Sequence, residues 1–239
     1  MRRIVFASLM GLVVVALCGL GVWQIARLSW KEALIARVNA RVHAPAVSAP
    51  GPAAWNGISD DDAYRHVTVR GHFLNGDEAQ IYALTELGAG YWIMTPLRTD
   101  DGAIVFINRG YVPMEQKAPA GRASGQTDAE VRVTGLLRLS EAKGWLFSQP
   151  NDPAHDLWYR RDISALAQSR HLGTVAPYFI DADASPNPGG LPRGGLTVVK
   201  FPNSHLVYAI TWFLLAAMLA GVLIWQARRK PEDDEKEGF

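Results

Sequence analysis

A single cysteine, Cys18, occurs among the 239 residues. None falls between residues 30 and 202, so that region cannot close a disulfide and has no thiolate to offer to copper or to a substrate. A thiol-based metal carrier is therefore disfavoured. Leu17 stands where a lipidated cysteine needs a small residue, which leaves Cys18 lipid-facing or packed. An excess of one charge is also missing: 24 Lys and Arg face 23 Asp and Glu. That balance implies no nucleic-acid partner. Catalytic signatures are scarce as well. GLGVWQ and GAGYWI each contain G-x-G without the third glycine or the strand–turn–helix setting of a dinucleotide site, and no G-x-S-x-G, H-E-x-x-H or P-loop is present.

Metal-binding patterns are equally thin. His66 and His72 lie on one β-rich run, where six residues of strand at ~3.3 Å each hold them roughly 20 Å apart. They cannot share one ion within that strand. Asp60, Asp61 and Asp62 are adjacent, without the spaced ligands of a calcium loop, and read as a solvated run. His43, His155 and His171 are isolated, which suits surface or satisfied core positions.

What the chain does have is two long uncharged runs. The first, at residues 4–25, spans roughly 33 Å as a helix and would cross a bilayer. A cleaved signal peptide is the rival reading, given Arg2 and Arg3, but the run is long and no small-x-small site closes it. The second occupies 205–226. Arg228, Arg229 and Lys230 follow it directly, which predicts a cytoplasmic C-terminus. Two spans then predict a cytoplasmic N-terminus, with Arg27 and Lys31 as conflicting charges, and put the middle of the chain outside. Pro231 to Phe239 reads as a solvated tail within 227–239.

Residues 26–63 read as an amphipathic continuation of the first helix followed by a Pro- and Gly-rich linker. From 64 to 202 the pattern shifts to period two. YRHVTVRGHFL, QIYAL, YWIMTPL, AIVFINRGYV, VRVTGLLRL and PYFIDAD predict strands, and the turn signals between them suggest an antiparallel meander. RDISALAQSRHLG predicts a short helix capped by Asp162 and stopped at Gly173. For INRGYVP, Asn108 and Gly110 suggest a turn at a strand end, with Pro113 stopping the ladder and Arg109 anchoring the turn or meeting a partner. The expected fold class is α+β: two transmembrane helices flanking an antiparallel β-rich extracytoplasmic domain with a short helix.

His205 opens the second run. On a helix it shares a face with Tyr208, Ala209 and Trp212. An imidazole can ligate haem iron, and an indole offers a flat surface for a macrocycle. The bland alternative stays open: Pro202, Asn203 and Ser204 make a helix start, and His, Tyr and Trp serve as interfacial anchors. Trp23 and Trp30 read first as such a belt. Small pairs at i, i+4, Ala7 with Gly11 and Ala217 with Gly221, are expected to let the two spans approach.

LGVWQIARLSWKEALI, INRGYVP, PYFIDA and NSHLVYAITWF, in this order and with a span at each end, resemble the surfeit locus protein 1 family of cytochrome c oxidase assembly factors. Gly21, Trp23, Gln24, Arg27, Trp30 and Lys31 meet its first motif. Asn108, Arg109, Gly110 and Pro113 meet its second, with Tyr111 where tryptophan is frequent, and His205, Tyr208, Ala209, Thr211 and Trp212 meet its last.

The resemblance implies a non-enzymatic role: binding haem a transiently and assisting its insertion into the oxidase's catalytic subunit. His205 would be the axial ligand of the iron and Trp212 a neighbour, with haem a synthase, the catalytic subunit and membrane lipid as partners. The implied location is a bacterial inner membrane with the central domain periplasmic. Arg27, just outside the first span, is a candidate partner for a haem propionate; ordinary snorkelling is its alternative reading. Two competing functions remain: a scaffold that stabilises the catalytic subunit without touching haem, and a membrane-anchored enzyme, for which no catalytic constellation is found.

Overall fold

The structure is a computed structural model that describes residues 2–144, 148–199 and 201–228. The Arg229–Lys230 flank and the charged tail expected at 231–239 lie outside the described residues. The chain divides into two compact units. One holds Met1–Arg37 with Lys200–Phe239, and the other Val38–Val199.

Most of α1 (Arg2–His43), one unbroken helix of 42 residues, belongs to the first unit. At 1.5 Å per residue it reaches ~60 Å, about twice the hydrocarbon thickness of a bilayer, so an apolar half of spanning length is followed by a polar one. The continuation expected past Ile25 is thus real and ends only where Ala44–Pro45 breaks it. α3 (His205–Arg228) has 24 residues and is apolar along most of its length. These two helices are long and apolar enough to cross a membrane.

The second unit is a β-rich domain. Its strands are β1 (Val47–Ser48), β2 (His66–Phe73), β3 (Ala79–Thr85), β4 (Gly88–Arg98), β5 (Ile104–Pro113), β6 (Val131–Leu139) and β7 (Val175–Ala182). They pair in the order β1-β2-β6-β7-β5-β4-β3, and a further β2–β4 pairing, His72 with Arg98 and Phe73 with Leu97, closes a ring of β2, β6, β7, β5 and β4. The expected meander holds only for β3-β4-β5. The long connection after β5 lets β6 cross over to β2, and β7 then inserts between β6 and β5, parallel to β5. Closure leaves few open edges, which matters for strands this apolar.

Inside the ring Val67, Val69, Phe73, Leu97, Val105, Ile107, Leu137, Tyr178 and Ile180 form one core. A second core, of Ala79, Ile81, Met94, Phe106, Trp158, Ile163, Leu166 and Phe179, sits under α2 (Ile163–Ser169). β5 serves both, with Val105 and Ile107 on one face and Phe106 on the other. That is why its sequence runs apolar without alternation. Asp162 caps α2 by accepting from the Ala165 amide at 3.1 Å. The helix stops before the expected Gly173: His171 takes the left-handed conformation, φ 52°.

The INRGYVP motif is not a turn. It forms the C-terminal half of β5, buried from Ile104 to Val112. Gly110, at φ +124°, lies against the segment at Arg193, whose backbone exchanges two hydrogen bonds with Tyr111 at 2.9 Å each. A side chain at Gly110 would collide with the Arg193 carbonyl, so glycine is what lets that strap lie down on the strand. Pro113 does end the ladder, opposite Gly90.

Candidate functional site

The motif residues divide between the two units. In the β domain, Asn108 donates to Asp181 Oδ1 at 2.7 Å and accepts from the Gly110 amide at 3.2 Å. Asp181, 3 % exposed, also accepts from Arg138 at 2.9 Å, Arg161 at 3.3 Å and Thr197 at 3.0 Å. Asn108, Arg138, Arg161 and Asp181 border a cavity of about 220 Å³. Within that cluster Arg138 and Arg161 are balanced by Asp181 and Glu141, so it carries no surplus charge with which to hold an ion.

Arg109 is fully buried. Nη2 donates to the Gly125 carbonyl at 2.5 Å and to Asn187 Oδ1 at 3.2 Å, and the guanidinium lies 4.5 Å over the Phe73 ring. Burial lowers its pKa from the ordinary guanidinium range to about 10, against the pull of Glu78. Of its two sequence readings, anchor or partner-binder, burial fits the anchor, since no incoming surface can reach it.

In the helix unit, sequence and geometry converge on one seam. Gly21 faces Phe213: a Cβ there would meet the ring at 2.7 Å, so glycine is what permits the contact. On α3, Ala209 and Ala216 are buried, and with His205 they define one stripe at helical spacing. At the start of that stripe His205 Nδ1 and Gln24 Oε1 are 2.7 Å apart. Gln24 is 9 % exposed, a polar side chain closed inside an apolar helix pair. Such a bond contributes on the order of 1 kcal/mol in a membrane and sets which faces meet. Among the described residues Nε2 of His205 makes no hydrogen bond. The His205 backbone amide donates to Asn203 Oδ1, and the Tyr208 amide to the Ser204 carbonyl, so the helix start read from Asn203 and Ser204 holds.

The seam differs from the expected one. Gly11 and Gly221 have nothing near them, and Ala7 and Ala217 are exposed. Close approach occurs instead at Gly21, one turn before Gln24, where the Phe213 ring fills the notch left by the glycine. Ala209 lies in that buried stripe, between the exposed Tyr208 and the partly buried Trp212. Tyr208 is 53 % exposed, and Trp212 is partly buried. Arg27 stacks over Trp30 at 4.6 Å, and Lys31 over Phe201 at 5.5 Å. Trp23 and Trp30 are about half exposed, as an interfacial belt requires.

Sequence reasoning singled out Gln24 only as a motif letter and missed its partner. A signal was present, since an amide inside an apolar span needs a polar mate and His205 is the polar residue nearest the matching end of the other span. Phe213 left none, being one apolar residue among many. Among the described residues no group of three or more His, Cys, Asp or Glu could hold a metal ion by itself.

The model of the SURF1 family matches residues 11–217, which takes in most of α1, the β domain and the first half of α3. Surfeit locus protein 1 of Rattus norvegicus is 37 % identical over 216 residues, covering 83 % of this chain and 68 % of the rat protein. The Xenopus tropicalis protein of the same name is 35 % identical over 232 residues, 90 % of this chain and 72 % of the relative. The Homo sapiens protein is 34 % identical over 224 residues, 86 % and 72 % respectively. With Gly21, Gln24 and His205 meeting in one seam inside the matched span, the chain belongs to the SURF1 family.

Proposed function

We propose that the protein is a membrane-bound assembly factor for a haem-copper terminal oxidase, holding haem a at His205 and passing it to the oxidase's catalytic subunit. Membership in a family of cytochrome c oxidase assembly factors supports the assembly role. The haem role draws on one observation: an imidazole at the end of an apolar helix, tethered through Nδ1, with Nε2 free of hydrogen bonds among the described residues. The residues fit the iron end of such a cofactor, because an axial histidine ligates through one ring nitrogen while the other is tied down. The bound group would supply its macrocycle and iron as cargo. Exposed Tyr208 and partly buried Trp212 offer ring surface on the His205 face of α3, and Arg27, already stacked on Trp30, offers a cation for a propionate.

Haem a synthase is the proposed donor and the catalytic subunit the acceptor, in a bacterial inner membrane with both termini cytoplasmic and the β domain periplasmic. Arg228 at the end of α3 supports that orientation. Alkaline phosphatase fused within the β domain is expected to be active and at the C-terminus inactive; the reverse result rejects the topology.

A scaffold reading has its own support, since the Gln24–His205 bond would join the helices whether or not haem is present. Protein purified from cells that make haem a separates the two. A Soret band that His205→Ala abolishes while the fold persists supports haem carriage. A band absent from the parent, or unchanged in the variant, leaves the scaffold.

A further inference from the structure

The geometry points to Gln24 as the residue that sets the proton of His205: its side-chain carbonyl accepts Nδ1–H, and so fixes the tautomer whose Nε2 carries the lone pair. This inference rests on the haem reading above for its purpose, though not for its chemistry.

A neutral imidazole carries one N–H and one lone pair, and which nitrogen holds which is decided by the bond the ring makes. At 2.7 Å the Gln24 Oε1 is an acceptor with no proton of its own, so Nδ1 must donate. Nε2 is then left as the base. Water cannot reverse the choice cheaply, because Gln24 is nearly sealed between the helices and its oxygen would lose its partner there. The amide is held in turn by its helix. Gly21, one turn earlier on α1, lets Phe213 pack closely, so the spacing between the helices is fixed beside the bond. Gly21 and Gln24 are neighbours on one face at i, i+3, and His205 and Ala209 at i, i+4 on the facing one. The two small residues set the distance over which the polar pair acts.

Gln24 is thus a positioning residue for any electrophile that His205 receives. It also joins readiness to helix pairing: a helix that slides or rotates away takes the acceptor with it, so the ring becomes a weaker donor to whatever Nε2 holds, and once Nε2 is vacated the proton is free to settle on either nitrogen. For a transient carrier this gives a release route that needs no change in His205 itself, only separation of α1 from α3.

The test uses the full chain in lipid nanodiscs, made in cells that do not synthesise haem a, with ¹⁵N-histidine. His205 signals are assigned by their loss in His205→Ala. The expected spectrum shows Nδ1 protonated and Nε2 as the unprotonated nitrogen. Gln24→Leu should lose that preference, and Gln24→Glu, whose carboxylate can only accept, should keep it. Titration with isolated haem a should then show ~10–100-fold weaker binding for Gln24→Leu and near-parental binding for Gln24→Glu, with a lower haem midpoint potential because the ring becomes more basic. Helical circular dichroism and elution volume report whether Gln24→Leu still folds.

A parent spectrum with Nε2 protonated overturns the inference, since the amide would then be donating. So does a Gln24→Leu protein that retains both the parental tautomer and affinity. If the tautomer is as expected but the parent binds no haem a, the proposed function falls, and the positioning role falls with it.

Discussion

Asp181 in the β domain accepts from four side chains and is closed from solvent. His205 at the end of α3 engages one nitrogen with Gln24 and leaves the other without a bond among the described residues. Both are polar side chains of motif segments, yet they stand in opposite conditions. The carboxylate has spent its bonding capacity on holding β5, β6 and β7 together, and the cavity beside it is electrically balanced. The imidazole has spent half. Spare hydrogen-bonding capacity on a partly buried polar side chain, rather than burial or motif membership alone, separates a residue with room for another partner from one that keeps a fold.

The largest expected effect strikes the closed side of this comparison. Glu78 and Arg122 form a buried ion pair, with side chains 2 % and 1 % exposed. The second Arg122 bond to Glu78 is 2.8 Å long. Glu78 is also the carboxylate whose field offsets the burial of Arg109. Glu78→Gln therefore leaves two buried guanidinium groups without it, and should destabilise the β domain by about 3–5 kcal/mol. Near-UV circular dichroism during urea unfolding of the full chain measures this. A loss below about 1 kcal/mol would mean that the domain's polar core is less closed than its geometry states.

Next comes the seam. Gly21→Leu drives a side chain into the Phe213 ring, an overpacking that should weaken the helix pair by about 1–3 kcal/mol. Spin labels on cysteines introduced at Val22 and Tyr208, both exposed, should report a broadened distance distribution. Adding Phe213→Ala should narrow it again. If the distribution stays sharp in Gly21→Leu, Gly21 does not set the helix spacing, and the contrast reduces to the Gln24 bond alone.

The smallest effect is a pH slope in the β domain. Tyr178 is fully buried and its hydroxyl donates to the Pro50 carbonyl at 2.6 Å, and burial pushes its pKa above the ordinary 10. The folded protein keeps this proton where the unfolded chain gives it up. Its contribution is therefore complete below pH 10 and is lost as pH rises beyond it. Arg109 acts in the opposite sense: burial depresses its pKa to about 10, so the unfolded chain binds the proton more tightly and this contribution to stability rises with pH above that value. Tyr178→Phe isolates the first effect. It should cost about 1 kcal/mol at neutral pH and remove up to ~1.4 kcal/mol per pH unit of alkaline loss. Parallel pH curves for parent and variant would show that Tyr178 titrates freely and is not sealed in the ring.

Much of this architecture was legible in the sequence because burial leaves a periodic mark. The alternation in YRHVTVRGHF gives β2 with Val67 and Val69 inward, and Asp162 before the apolar spacing of α2 gives a cap that the helix uses. The run-on of α1 past the membrane length was readable from its mixed composition. Three features were not. The strand order was hidden because period two states which face is buried and never which strand lies alongside. INRGYVP looked like a turn because Asn and Gly favour one locally, yet pairing with β4, β7 and the Arg193 strap makes it a buried strand with glycine at the point of closest approach. The small pairs at Ala7–Gly11 and Ala217–Gly221 fit the spacing rule for helix contact, whereas Gly21, with Leu17 and Ile25 four residues away on either side, does not, so the local pattern pointed away from the real seam.

By itself the sequence determined the two apolar helices, the β-rich region between them and the short capped helix. These follow from hydrophobic spacing and from turn and cap chemistry, which act over a few residues. Only the tertiary structure decided that β2 and β4 close a ring, and that Gln24 meets His205 across 181 positions of chain. Such a meeting depends on how far one helix is rotated and slid against the other, and that is set by Phe213 filling the notch at Gly21, a fit of shapes that no local pattern encodes.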